Sequence, residues 1–289
     1  MSNTIELAKS FVPKLDECYR LASLTGVLDG APELAKQGAN ANELIIPMMS
    51  MDGLADYSRN GGYVQGGVTM TNETVKCNFD RGRRFDVDVM DDLETAGLAF
   101  GRLSAQFIRD KVVPELDAFR FASYCGISGV TKKEETLADG AATVAALSAA
   151  VTAMDDEEVT ATGRYLFITP TLLQGINDMD TTKSKKVLEG FEQVIKVPQR
   201  RFYTAIKQLS GKTGEEAGGY TKAAGAANIN FAIVQKDALI QYTKHAAPKI
   251  IAPENNPDAD AYVFGYRMVG IAKAYKNMLS GMYFSHDKA

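Results

Sequence analysis

An α+β fold is predicted for this chain of 289 residues by three features of its sequence. Val75, Cys77 and Phe79, then Phe85, Val87 and Val89, alternate with polar residues, the period of strands with one buried face. The period then changes, and Leu93, Ala96, Phe100, Leu103 and Phe107 recur every three or four residues as one helix stripe. Beyond residue 140, short apolar runs and helical stripes follow one another with no internal repeat.

Taken in order, residues 11–28 form a short amphipathic stretch, and the run Gly38-Ala39-Asn40-Ala41-Asn42 has little to pack and reads as an extended arm or linker. Residues 44–90 are strand-like but poor in core, with turn signals at Asn60-Gly61-Gly62 and Gly66-Gly67. A long hairpin of this kind needs another surface to lie on. Asp91 as N-cap with Glu94 at N3 makes a capping box. The helix it opens continues through Ile108, Val112, Leu116 and Phe119 and ends by Gly126. About thirty residues give a helix roughly 45 Å long. Pro114 lacks a donor and crowds the carbonyl of Asp110, which predicts a kink.

Val144, Leu147, Val151 and Met154 mark an alanine-rich helix, and Tyr165-Leu166-Phe167-Ile168 a buried strand. Thr169 then caps a helix with Pro170 at its first position. Residues 191–197 read as a strand ended by Pro198, 207–227 as a mobile Gly/Lys/Ala loop, 230–234 as a strand and 237–242 as a helix start. Residues 262–284 read as β-structure with Tyr262, Phe264, Tyr266 and Met268 on one face.

The composition, 45% hydrophobic and 24% charged, suits a chain with a real core. No run approaches the roughly 18 apolar residues of a membrane helix, so no membrane partner is expected. The opening MSNTIELAKSF has no charged segment followed by an apolar run, so no secretory signal is expected and Asn72-Glu73-Thr74 is a chance sequon. Cys18, Cys77 and Cys125 are odd in number and far apart, and are expected as free thiols. A net charge of −4 argues against a protein that grips nucleic acid, although a container for DNA can be this acidic.

No catalytic, cofactor or metal constellation emerges. His245 and His286 are the two histidines, and neither sits in a metal or nucleophile motif. Gly211-Lys212-Thr213 resembles the end of a phosphate loop, but Ile206 stands where that motif needs glycine. Asp86, Asp88, Asp91, Asp92 and Glu94 are acidic but alternate as strand and cap residues, and Asp91 occupies the glycine position of a calcium loop. Arg81, Arg83 and Arg84, with Asp86 and Asp88, are the candidates for inter-subunit contact, because guanidinium forks suit fixed carboxylate pairing at interfaces; in a lone monomer the same group is a solvated charged edge.

Several segments together resemble the major capsid proteins of tailed bacteriophages, a fold shared with herpesvirus capsid floors and encapsulin shells. RGRRFDVDVMDDLET is similar to that family's extended loop entering its spine helix, and VVPELDAFRFASYCG to the helix end. RYLFITPTLLQGI and VIKVPQRRF look like parts of its axial domain. NINFAIVQKDALIQYTKHAAPKIIAPE and YRMVGIAKAYKNMLSGMYFSH resemble its closing segments.

The resemblance implies an N-terminal arm (1–43) and an extended β-hairpin loop (44–90). It also implies a peripheral domain with the spine helix (91–135 and 246–289) and an axial domain (136–245). It implies a homo-oligomer: hexamers and pentamers of an icosahedral shell around double-stranded DNA contacted non-specifically, found in the virion and made in the host cytoplasm. Portal and decoration proteins are implied partners; the region before the loop is too short for a built-in scaffold segment, so a separate scaffolding protein or none is expected. No cofactor and no reaction are implied. An encapsulin-like compartment and an α+β enzyme with a site built from distant residues are the alternatives.

Overall fold

The computed structural model describes residues 23–30, 36–37, 43–90, 105–179 and 181–288. Most of the expected arm, Cys18, the capping box at Asp91 and Glu94, and the first part of the helix stripe lie outside the described residues.

The first sheet joins β1 (Lys36–Gln37), β2 (Glu43–Met51) and β3 (Val68–Lys76) in that order, with β2 and β3 an antiparallel hairpin. The strand expected to continue this hairpin, β4 (Phe79–Asp88), belongs to a different sheet. Its ten-pair ladder with a distant strand in residues 261–274 outweighs the local pairing that sequence proximity suggests.

The helix is described from residue 105, and Ile108–Val112 form a π-helical turn before α1 (Val113–Gly126). Pro114 stands directly after this widened turn, in which the Val113 N–H reaches back five residues to the Ile108 carbonyl.

After β5 (Thr131–Glu134), α2 (Gly140–Asp156) is capped by Asp139, whose carboxylate accepts the Ala142 N–H at 2.7 Å. Next come β6 (Arg164–Ile168), α3 (Pro170–Asp178), α4 (Thr182–Glu189) and β7 (Gln193–Lys196). Thr169 sits at the N-cap of α3 as expected, but its side chain makes no capping bond. Residues 207–227, expected as a mobile loop, contain a small hairpin of β8 (Ile206–Gln208) and β9 (Tyr220–Lys222). After β10 (Ile229–Gln235), the helix expected at 237–242 is a single 3-10 turn leading into β11 (Leu239–Ile251). The β-branched Ile240, Thr243, Ile250 and Ile251 favour the long ladder that β11 makes with β12 (Ala261–Ala274). The chain closes with β13 (Met282–His286).

Two sheets carry the cores. The five-stranded sheet runs β5-β13-β10-β6-β7, and every residue of β6 and β10 is buried, as expected of strands covered on both faces. Phe167, Ala232, Val234 and Phe284 face Phe121 and Tyr124 of α1. Leu166, Ile168, Phe231 and Ile233 face α2 and α3. The sheet β11-β12-β4 lays Phe79, Phe264, Tyr266 and Met268 against Ile108, Val113 and Leu116 of the long helix.

Candidate assembly surfaces

The β2–β3 hairpin exposes what a free protein normally hides. Met49, Met51, Leu54, Tyr57, Tyr63, Val64, Val68 and Met70 are exposed large apolar side chains, joined elsewhere among the described residues only by Met90 and Met278. Leu54 is fully exposed at the tip, where the Tyr57 and Tyr63 rings lie 4.9 Å apart. The tip itself is ordered by Asp52, which accepts the Gly67 N–H at 2.7 Å. An apolar patch of this kind marks an interaction surface.

The arginine group divides by strand alternation. Residues facing each other in the β4–β12 ladder share a face, so Arg81 (opposite Met268) and Arg83 (opposite Tyr266) lie on the side turned to the long helix. Arg84, Asp86 and Asp88 lie on the other side, opposite Gly265, Val263 and Ala261. Arg81 is engaged inside the chain: its Nε donates to Glu115 Oε1 at 2.8 Å and its Nη2 to the Leu209 carbonyl at 2.7 Å. The Arg83 Nη2 donates to the Glu216 carbonyl at 2.8 Å, and a Cβ at Gly211 would meet its guanidinium at 2.9 Å. Gly211 and Gly218 have positive φ, so the β8–β9 turn is shaped around Arg83 as only glycine permits. Arg84 pairs at 2.8 Å with Asp86, both exposed. Asp88 accepts the Met90 N–H at 2.8 Å, a cap on helical residues 89–90.

Between β4, the π turn and the β8–β9 hairpin lies an open groove of about 760 Å³, with Arg81, Arg83, Lys111, Arg200 and Lys222 on its walls beside Phe85, Phe107 and Tyr203. Neither histidine lines it: His245 is exposed on β11, and His286 Nδ1 lies 2.8 Å from the Asp287 carbonyl. Gly211-Lys212-Thr213 sits in the β8–β9 connection with no helix behind it, so its backbone amides do not form a phosphate cradle. Among the described residues no group of three His, Cys, Asp or Glu side chains is arranged to hold a metal ion.

A site that sequence reasoning missed anchors residues 23–30. Asp117 on α1 is fully buried and accepts from Ser23 Oγ at 3.0 Å, Leu24 N–H at 3.1 Å, Thr25 N–H at 3.2 Å and Thr25 Oγ1 at 2.7 Å, and from Arg201 at 3.2 Å. One turn on, Arg120 donates to Thr25 Oγ1 and Asp29, and Tyr124 donates to Gln241, whose amide holds Asp29 at 2.7 Å. The signal was present: Asp117, Arg120 and Tyr124 fall at i, i+3 and i+7, a polar line along one side of the helix.

No protein-family model matches the chain, and no curated protein matches it in sequence. Solved structures do match. A virus-like particle from Pyrococcus furiosus is 10% identical with a TM-score of 0.61, covering 97% of this chain and 99% of that one. A Gordonia phage Cozz structure is 10% identical with a TM-score of 0.60, covering 93% and 87%. The capsid of Myoviridae phage XM1 is 9% identical with a TM-score of 0.56, covering 91% and 90%. The chain has the phage capsid fold. Within this fold the β2–β3 hairpin carries the exposed apolar side chains and residues 23–30 are bonded to α1, whereas the two sheets and α1 carry the cores.

Proposed function

We propose that this chain is a major capsid protein, a shell subunit that self-assembles into hexamers and pentamers of an icosahedral particle enclosing double-stranded DNA. The observation that carries the reading is the hairpin: a row of exposed Met, Leu, Tyr and Val side chains, the kind of apolar patch that marks a contact with a neighbouring molecule. The capsid fold of the similar structures supports it. In this reading the chain works through its surfaces, with no catalytic step, and it resides in the virion. Among the described residues no helix is long and apolar enough to cross a membrane.

The division into arm (1–43), extended loop (44–90), peripheral domain (91–135 and 246–289) and axial domain (136–245) belongs to the same proposal. The sheet pairings favour grouping β4 with β11 and β12 in the peripheral domain, and β5 and β13 with the five-stranded sheet of the axial domain. Of the arginine group, Arg84 with Asp86 is free to face a neighbour on the outer side of β4, whereas Arg81 is engaged within the subunit.

Electron microscopy of the purified protein tests the reading. Closed shells or capsomer rings are expected, and a uniform population of monomers or dimers overturns it. A second reading, a cellular compartment shell, is favoured by the near-complete match to the Pyrococcus furiosus virus-like particle. Nuclease-protected DNA inside isolated shells supports the capsid, and an enclosed protein supports the compartment.

A further inference from the structure

The β2–β3 register sets Met49 opposite Met70 and Met51 opposite Val68. Residues two apart on a strand share a face, so these four side chains form one apolar face of the hairpin. Met49 is 58% exposed, Met51 68% and Met70 64%, whereas Met154, Met268 and Met282 are buried in the cores. Methionine is an adaptable apolar side chain, but its thioether accepts an oxygen atom and becomes polar.

We propose that Met49, Met51 and Met70 form a reversible oxidation site that controls whether the subunit can assemble. This rests on the reading of the hairpin as an inter-subunit contact. Hydrogen peroxide delivers one oxygen to each sulfur: the O–O bond breaks, an S=O bond forms, the sulfur loses two electrons and water leaves. The sulfoxide needs hydrogen-bond partners that an apolar contact does not supply, so an oxidised hairpin is excluded from the interface. A dithiol-dependent sulfoxide reductase reverses the change, removing the oxygen as water while the dithiol closes to a disulfide. Assembly in turn covers the face and protects it.

The experiment treats dissociated, full-length subunits with limiting hydrogen peroxide, induces assembly, and measures the sulfoxide content of each methionine by peptide mass spectrometry in the assembled and unassembled fractions. Sulfoxide at Met49, Met51 and Met70 is expected to concentrate in the unassembled fraction, with Met268 and Met282 unmodified in both. Reductase treatment should return that fraction to competence. The triple variant Met49→Leu, Met51→Leu, Met70→Leu should assemble after peroxide. Equal sulfoxide at the three positions in both fractions overturns the proposal even if the triple variant fails to fold; so does a folded triple variant that remains as peroxide-sensitive as the parent. The underlying reading fails separately if unoxidised Met49→Glu, Met70→Glu protein assembles normally, or if intact shells are oxidised at these positions as fast as free subunits.

Discussion

The fully buried carboxylate of Asp117 accepts the hydroxyl of Thr25 at 2.7 Å, across ninety-two residues of sequence. This bond and its neighbours fix the chain just where the N-terminal segment meets the long helix. Replacing Asp117 with Ala leaves two backbone N–H groups, the Thr25 hydroxyl and Arg201 without their acceptor. A loss of about 3–5 kcal/mol is expected, the range for breaking a buried charged network from one side. Urea unfolding measures it, and limited proteolysis should cut near residue 23 in the variant before the parent.

Arg81 and Arg84 should separate folding from assembly. Arg81→Ala removes the cationic partner of Glu115 and the donor to the Leu209 carbonyl, and is expected to cost about 1–3 kcal/mol. The Leu209 amide, bonded to the Gly219 carbonyl at 2.8 Å, should exchange its hydrogen faster. Arg84→Glu, on an exposed surface, should leave the urea midpoint essentially unchanged. Its effect should appear in light scattering as a reduced yield of shells.

Core substitutions give a calibration. Phe121 is fully buried, with its ring 5.1 Å from Phe167 and 4.8 Å from Phe202, so Phe121→Ala should cost about 3–5 kcal/mol in a denaturant melt. At Gly140 a methyl group would lie inside contact distance of the Gly175 carbonyl, where α2 crosses α3. Gly140→Ala is therefore expected to destabilise by about 1–3 kcal/mol although alanine is the better helix former.

Acid should weaken the β4–β12 pairing slightly. The Arg267 guanidinium, bonded to Asp80 at 2.6 Å, holds the Asp80 carboxyl below its ordinary value. A depressed folded value means that the pair stabilises above the ordinary carboxyl pKa of about 3.9 and loses this as pH falls through the lower folded value. Both side chains are well exposed, at 44% and 61%, so solvent screening keeps the effect small. Asp80→Asn should remove it, as read by comparing acid unfolding curves.

Burial pushes the Cys125 thiol up to about 11. At pH 8 it stays protonated, and iodoacetamide should label it only after unfolding. Because the folded value is raised, stability is intact below the ordinary thiol value of about 8.5 and declines as pH climbs from there towards about 11. Cys125→Ala should flatten that decline.

Much of this architecture was legible in the residues. The alternation at Phe85 and Val87, the end of α1 at Gly126, the stripe of α2 and the buried run of β6 are local periodicities, and the structure carries each of them. The same alternation, extended back through Arg81 and Arg83, already puts both arginines on the face of Phe79 and Phe85, so their inward position could have been read. The helix expected at 237–242 failed because Leu239 and Ile240 suit either periodicity over so short a run, and only the partner strand decides between them.

The sequence by itself determined the α+β class, most element positions and the core-poor hairpin, because hydrophobic period and turn chemistry are written in neighbouring residues. Only the tertiary structure decided that β4 leaves the hairpin for β12 and that Asp117 holds Thr25. Those outcomes depend on partners tens to hundreds of residues away, and local pattern carries no information about which distant strand or side chain will come within reach.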